Sequence, residues 1–365
     1  GPMRSIINLK ESLSKDTRFF VFTRDRDLGS KTKYETIKEN IWIDRDKDSI
    51  FYASPNSFNL FGLRKAIVNK NFNVIYLNSF FSFHGSISIL IWSKLTTKKI
   101  PILIAPRGEF SFGAMSFKSI RKKVYLKIST ILSLYSEVYW HASTESEYKD
   151  ILDKFPKSKK NIYTALDPVN LNLDFIPFND HKFSEKGKLS LVFISRISPM
   201  KNLHGLLKIL LEVGSNINLD IYGPIEDEAH WDICKKTILK LPKNIKVQYK
   251  GMLEPDSIVK TFSMYDVFIF PSLGENFGHV IFESLSAGTP VITSDQTPWK
   301  PDKSNGLTVI PINKINEWIN VIECTSKLSK KEKNSMSKNA RSYAENFIRR
   351  NEINKQNLYM FKEID

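Results

Sequence analysis

Between Pro271 and Val291 the chain reads PSLGENFGHVIFESLSAGTPV. Two carboxylates, Glu275 and Glu283, stand with seven residues between them, around a Gly278–His279 step and ahead of an apolar run. The preceding VFIFPS reads as a buried strand and LGENFG as a loop at its carboxyl end. The pattern then predicts a helix from about Gly278 or His279 to Ala287, stopped by Gly288. Free N–H groups from about Gly278 to Ile281 would lie at the helix N-terminus, which attracts phosphate. Gly278 lets an anion approach the backbone closely. Glu275 falls in the loop before that end, and Glu283 more than a turn inside the helix. Acceptors on both sides of an anion site fit a ligand with hydroxyls on both sides of a diphosphate. A nucleotide sugar has that layout.

An anion also needs cations. SRISPMKN follows the predicted strand Leu189–Ser195, so Arg196 and Lys201 sit in a loop at the carboxyl edge of the same sheet. Arg can clamp a phosphate with a bidentate fork, and Lys adds a point charge. Alone, the two would read as exposed surface cations. Beside the glutamate segment they read as the counter-charge of a diphosphate.

The elements that must hold these groups are legible around them. From Leu189 to Asp295 short apolar strands alternate with helical patterns, which predicts a parallel sheet with helices on both faces. Ligands of such sheets bind beyond the carboxyl ends of the strands. The first half is similar but less regular, with strands expected at RFFVFT, VIYLN, PILIAP and VYWHAS. Asn170 to Lys188 is polar and reads as an interdomain linker. Lys327 to Asp365 reads as helical and highly charged. The expected division is 1–172, 173–345 and a closing helix 346–365 packing back toward the first domain.

At 365 residues the chain is too long for one ordinary core, and 41% hydrophobic with 25% charged residues is ordinary for a globular protein. Two cysteines, Cys234 and Cys324, suit a reducing compartment and argue against a disulfide framework or a cysteine-built metal site. No N-terminal signal peptide is visible, so a cytoplasmic location is expected. Asn71–Trp92 carries no charge, but its many Ser and Asn residues argue for a buried strand, a polar loop and a short helix rather than a membrane span.

Residues 1–172 hold 28 Lys and Arg against 16 Asp and Glu, so they carry +12 of the total +15. Such a surface can meet nucleic acid, anionic lipid or a phosphorylated substrate. No nucleic-acid motif accompanies it. Ser116–Ser136 reads as a helical segment with Lys118, Arg121, Lys122 and Lys123 at its start and Val124, Leu126, Ile128, Ile131 and Leu132 after them. It suits either an anionic bilayer or a helix packed into the first domain with its lysines in water.

Other motifs carry less. Asp25-Arg26-Asp27 imitates a D-x-D metal site but follows a strand where a loop is expected. DRDKDS (Asp44–Ser49) has Ser49 and Ala53 where a calcium loop needs Gly and Glu. Neither G-x-G-x-x-G nor G-x-x-x-x-G-K-[ST] occurs.

SRISPMKN, GENFGHVIFE and SAGTPVI together resemble a retaining glycosyltransferase of family 4, with the two-domain GT-B fold: α/β, two Rossmann-like domains with parallel sheets facing a central cleft. GPMRSIINL, FHG, APRGEFS and HASTESE match the same family's sugar transferases of bacterial surface-polysaccharide pathways, so the resemblance covers nearly the whole chain. It implies that Arg196 and Lys201 neutralise the leaving diphosphate and that Glu283 binds the ribose hydroxyls. Glu275 would bind the donor sugar, with Asn276, Phe277, Gly278, His279, Val280 and Ile281 contacting sugar and phosphate through backbone groups. His84 would face the donor sugar from the other domain, and Arg107 and Glu109 would lie on the acceptor side. No metal or other cofactor is expected. The implied partners are a nucleoside diphosphate sugar, with UDP the family-weighted base, and a glycan acceptor, lipid-linked at the inner face of the plasma membrane. A sugar-nucleotide epimerase or phosphorylase of the same fold is the enzymatic rival, and a basic nucleic-acid-binding protein the non-enzymatic one. Family members begin with a β-strand ahead of a glycine loop, and this sequence starts at or inside that loop. Without that strand, the first-domain sheet is expected to lack a central element.

Overall fold

The computed structural model describes residues 2–26, 30–67, 70–96, 99–116, 119–169, 183–301 and 305–364. The chain forms two compact units, residues 1–168 with 353–365, and residues 169–352. Asp27, Lys118, Gly1 and most of the predicted linker (170–182) lie outside the described residues.

In the first unit the order is α1 (Pro2–Ser12), β1 (Phe20–Arg24), β2 (Trp42–Arg45), β3 (Asp48–Ala53), α2 (Leu60–Ile67) and β4 (Ile75–Leu77). Then come a π-helical turn (Phe83–Ile87), α3 (Ser88–Leu95), β5 (Ile102–Ile104), α4 (Phe112–Ser116), α5 (Ser119–Ile131), β6 (Val138–Ala142), α6 (Glu145–Lys154) and β7 (Ile162–Thr164). The sheet comes in two pieces. One runs β1-β3-β2, the other β4-β5-β6-β7 with all neighbours parallel.

Among the described residues, β1 and β4 each pair on one side only. Both line a cavity of about 990 Å³, walled by Leu9, Phe20, Phe22, Leu63, Leu77 and Phe361 among others.

The β2–β3 hairpin is the segment that imitates a calcium loop. Its acids are engaged otherwise: Ser49 Oγ donates to Asp44 at 2.6 Å, and the Phe19 N–H donates to Asp48 at 2.8 Å. Around the second piece, Phe80, Trp140, Tyr135, Phe110 and Phe155 form the core. In α5, Tyr125 and Leu126 pack on that core, whereas Val124, Ile128 and Ile131 are exposed, as is Leu132 just after the helix.

The second unit contains β8 (Lys188–Ile194), α7 (Leu203–Leu210), β9 (Asn216–Tyr222), α8 (Glu228–Ile238), β10 (Ile245–Tyr249), α9 (Ile258–Phe262), β11 (Val267–Phe270), α10 (His279–Ser286) and β12 (Val291–Ser294). These follow the predicted alternation. The structure adds β13 (Leu307–Ile310) and α11 (Ile315–Ser326), and α12 (Lys330–Asn351) opens the stretch that the sequence reads as helical from Lys327. The six strands are parallel in the order β10-β9-β8-β11-β12-β13, so β8 and β11 are central neighbours although helices and two strands separate them in sequence. β11 and β12 are fully buried, which is why they read as continuous apolar runs.

Lys333 of α12 ties this helix to the start of β8. Its ammonium is 2% exposed and donates to the Ser184 and Lys188 carbonyls at 3.0 and 2.8 Å, with Asp266 at 3.7 Å. The last helix, α13 (Ile353–Ile364), belongs to the first unit, where Met360 and Ile364 pack with Leu103 and Ala165 behind the sheet.

Candidate active site

In the second unit, parallel pairing of β8 with β11 delivers two loops to the same edge. The loop after β8 carries Arg196 and a 3-10 turn, Pro199–Lys201. The loop after β11 carries Ser272 to Gly278. Backbone and side-chain bonds join them: the Leu273 N–H donates to the Met200 carbonyl at 2.8 Å, and Asn202 Nδ2 to the Pro271 carbonyl at 3.0 Å. Asn202 adopts a left-handed conformation (φ 57°), and its amide lies where a Cβ on Gly205 would sit, only 2.4 Å away.

This stitching brings together two residues that the sequence places 74 positions apart. Lys201 Nζ donates to Glu275 Oε1 at 2.5 Å, and Ser272 Oγ donates to the same oxygen at 2.7 Å. The lysine side chain is 13% and the glutamate 10% exposed, so the pair is largely withdrawn from water. The ammonium also lies 5.6 Å from the centroid of the Phe270 ring. Ser272, a buried residue at the end of VFIFPS, is a site member that sequence reasoning did not single out.

Glu275 precedes α10, as expected. Its N–H donates to the Gln296 carbonyl at 3.1 Å. Gly278 caps the helix with φ 79°, a left-handed conformation that favours glycine, and an added Cβ would press on Ile281 at 3.2 Å. Phe277 is buried, and its carbonyl accepts from Trp299 Nε1 at 2.5 Å, which fixes the turn. Asn276, His279 and Val280 are half-buried. The Ile281 N–H donates to the Gly278 carbonyl at 2.8 Å, so it leaves the set of free N–H groups expected at this end. Glu283 is half-buried on α10, past its first turn. Arg196 is 56% exposed and pairs with Glu226 in the loop after β9, a partner the sequence did not suggest. Such an exposed pair contributes little and gives way readily to a stronger anion.

The first unit carries the other candidates. His84 is exposed on the π-helical turn, a distortion frequent at functional sites. Ser82 caps this turn by accepting from the Gly85 N–H at 3.1 Å, and the Phe83 and Phe58 rings flank the imidazole at 5.2 and 6.4 Å.

Arg107 requires a correction. Its side chain is only 5% exposed and points inward. It donates to Asn78 at 2.7 Å, Tyr76 Oη at 2.6 Å and Ser143 Oγ at 3.1 Å, and it pairs with buried Asp167. Asp167 in turn accepts from Ser5 Oγ at 2.7 Å. A guanidinium held by so many internal acceptors is a strut, not an acceptor-facing group. The next residue continues the lattice: the Gly108 N–H donates to buried Glu147 at 2.6 Å, and Glu147 also accepts from the Ser143 N–H at 2.8 Å. APRGEFS and HASTESE thus bind each other. Glu109 accepts from Ser79 Oγ at 2.8 Å and from the Phe80 and Phe81 N–H groups at 2.6 and 2.9 Å, and so holds the segment leading to His84. Asp25, the described half of the D-x-D triplet, is buried and accepts from its neighbour Arg26 at 2.8 and 2.9 Å.

Comparison with known proteins gives the second unit a family likeness. Residues 176–343 match the model of the family described as Glycosyl transferases group 1. The second unit is a group 1 glycosyl transferase domain. An uncharacterized 41.2 kDa protein in the cps region of Klebsiella pneumoniae is 28% identical over 255 residues, 68% of this chain and 67% of that protein. The capsular polysaccharide biosynthesis glycosyltransferase CapM of Staphylococcus aureus is 30% identical over 125 residues, 33% of this chain and 32% of its own length, so the match spans about a third of it. The Anabaena protein HepE, solved in complex with UDP and glucose, has a TM-score of 0.70 at 14% identity, covering 100% of this chain and 95% of its own. That likeness gives the fold of the chain, GT-B.

Two outcomes test these arrangements. Lys201→Met leaves the Glu275 carboxylate partly buried without its cation, and is expected to destabilise the second unit by about 1–3 kcal/mol. Adding Glu275→Gln should recover most of that loss. Urea unfolding of the four proteins gives the coupling energy, and a value near zero would mean the pair does not brace the loops.

The second outcome concerns acid. His141 is buried between Tyr76 Oη (2.6 Å from Nδ1) and the Ala165 carbonyl (2.7 Å from Nε2). Burial, then the nearby Arg107 charge, pushes its pKa down to about 4 from 6.5. Within that interval the unfolded chain binds a proton that the folded one refuses. The first unit should therefore lose stability as pH falls from about 6.5 toward 4, and gain nothing from this group above it. His141→Gln can keep both hydrogen bonds and should flatten the acid limb of melting temperature against pH. Equal acid limbs would remove His141 as their source.

Proposed function

We propose that the protein is a retaining, metal-independent hexosyltransferase. It moves a hexose or N-acetylhexosamine from a nucleoside diphosphate sugar, with UDP as the nucleotide, to a lipid-linked glycan in surface-polysaccharide synthesis. The observation that carries the donor half is the Lys201–Glu275 contact at the N-terminus of α10. It sets a cation and a hydrogen-bond acceptor side by side where a helix end favours an anion. The naming of HepE's bound UDP and glucose supports the base and the sugar class. The cps-region and capsule relatives support the pathway.

In this reading the donor diphosphate draws Lys201 away from Glu275, which is then free to accept from sugar hydroxyls. Arg196 exchanges Glu226 for phosphate. As the bond to the anomeric carbon breaks, negative charge grows on the leaving diphosphate, and Lys201, Arg196 and the α10 N-terminus stabilise it. These cations take the place that a metal holds in other transferases. Glu283 accepts from the ribose hydroxyls, and His84 contacts the donor sugar. Glu109 acts on the acceptor side by holding the Ser79–Phe81 segment in place rather than by touching substrate.

UDP and GDP release from a panel of nucleotide sugars, with and without lipid-diphosphate glycans and in the presence of EDTA, tests this reading. Release that needs a lipid acceptor and survives EDTA is expected. Donor turnover without any acceptor would favour an epimerase or phosphorylase, and dependence on added Mn²⁺ would reverse the metal-independent reading. Glu283→Gln should weaken UDP binding roughly tenfold or more, since a charged hydrogen bond contributes about 1.5–3 kcal/mol. Calorimetric titration with UDP checks this, and unchanged affinity in the folded variant would take Glu283 out of the ribose role.

A further inference from the structure

α5 presents two unlike faces. At about 100° per residue, Ile120, Val124, Ile128 and Ile131 fall within a sector about 80° wide. All four stand in water, at 77%, 52%, 50% and 72% exposure. The opposite side is the one that holds the helix to its unit. There Ser129 is buried, Leu126 packs on the core, and Tyr125 Oη bonds to Tyr135 Oη at 2.6 Å. Lys122 lies on this inner side too, donating to the Ala114 carbonyl at 2.7 Å with its ammonium 5.1 Å from the Phe81 ring. It is not part of the outer basic surface that the sequence suggested. The exposed bases are Arg121 on one flank of the aliphatic stripe and Lys123 and Lys127 on the other. The helix contains no Asp or Glu.

We infer that this outer face of α5 is a docking element for an anionic bilayer surface, with Ile120, Val124, Ile128 and Ile131 entering the headgroup–acyl boundary and Arg121, Lys123 and Lys127 meeting lipid phosphates. An aliphatic stripe exposed to water is costly unless something covers it, and bases on both flanks with no acid select an anionic cover. The inner face adds a consequence. Tyr125 and Lys122 pack on Phe80 and Phe81, the residues whose N–H groups Glu109 holds and which lead into the His84 turn. A docked α5 thus brings the His84 segment close to the lipid surface. The inference builds on the reading of a lipid-linked acceptor, but its test requires no turnover, so either can fail alone.

The test is co-sedimentation of the full chain with vesicles of phosphatidylcholine alone or with an equal part of phosphatidylglycerol. Binding to the anionic vesicles only, lost at high salt, is expected. The triple variant Arg121→Glu, Lys123→Glu, Lys127→Glu should lower partitioning roughly hundredfold or more, since each base near the surface contributes about 1 kcal/mol. The variant Ile120→Ser, Val124→Ser, Ile128→Ser removes the stripe, leaves the bases, and should also release the protein. Unchanged melting and unchanged UDP titration identify both variants as folded. Equal binding to both vesicle types, no binding to either, or binding indifferent to both triple variants would overturn the inference. Concentration-dependent self-association that the Ser variant abolishes, without vesicle binding, would assign the stripe to a second copy of the chain instead.

Discussion

A parallel sheet sends every strand's carboxyl end to one edge, and the order of strands decides which loops meet there. In the second unit, β8 and β11 are hydrogen-bonded neighbours at the centre of six strands. Everything at the candidate site follows from that adjacency. The Met200–Leu273 and Asn202–Pro271 bonds can form only because the two strands end side by side. Lys201 then has no long reach to make: a short 3-10 turn lifts it beside Glu275. Exchange the order of β11 and β12 and the same residues, on the same loops, would be a strand further apart, about 4.8 Å.

The first unit follows a different logic. Its polar motifs turn inward. Arg107 adopts a left-handed backbone conformation, with Gly108 doing the same after it, and this tight turn aims the guanidinium under the sheet edge and the Gly108 N–H at Glu147. Residues from β4, the loop after β5, the loop after β6 and the loop after β7 are joined through it: Tyr76, Arg107, Ser143 and Asp167. A buried charge persists only when its partners satisfy it, so this cluster behaves as one unit. Two residues on from Arg107, Glu109 fixes through its carboxylate the segment that leads to exposed His84. The buried lattice and the exposed histidine are thus two ends of one mechanical chain.

The second unit was largely legible in the sequence because most of its strands are apolar and alternate regularly with amphipathic helices. The alternation rule finds such elements directly. β13 is as long as β11 and β12, but LTVI follows a polar stretch and its two middle residues are only half-buried, so it is less sharply marked. The first unit was harder for the same physical reason in reverse. β4, β5 and β7 have three residues each, and the β2–β3 hairpin is half acid and base, so neither length nor hydropathy marks it. The helix cap at Gly278, the Lys201 loop and both glutamates were readable from residue type and spacing. Their contact was not, since pairing of strands 74 residues apart leaves no local signal. Arg107 was misread because a charge in a sequence carries no direction: only the burial of Asp167 and Tyr76 around it tells an internal strut from a surface group. Ile120 and Lys122 make the same point on α5, where register alone decides which faces water.

The Lys201–Glu275 pair also bears on charge balance among these loops. Lys201 lies beside Glu275 ahead of α10, whose N-terminus repels a cation, and cations that would serve one anion repel each other. Here each cation has a carboxylate of its own, Glu275 for Lys201 and Glu226 for Arg196. The two differ in burial. The Arg196 pair lies in water and yields easily, whereas the Lys201 pair is largely withdrawn, so its Coulomb attraction is less screened. On the donor reading proposed above, an incoming diphosphate displaces Glu275 from Lys201 with two charges against one and the α10 N-terminus on its side. A phosphodiester, with its single charge, competes less well. On that reading the contact that steadies the loops selects for charge on the ligand, through a group that acts on the phosphate only by letting go of its lysine.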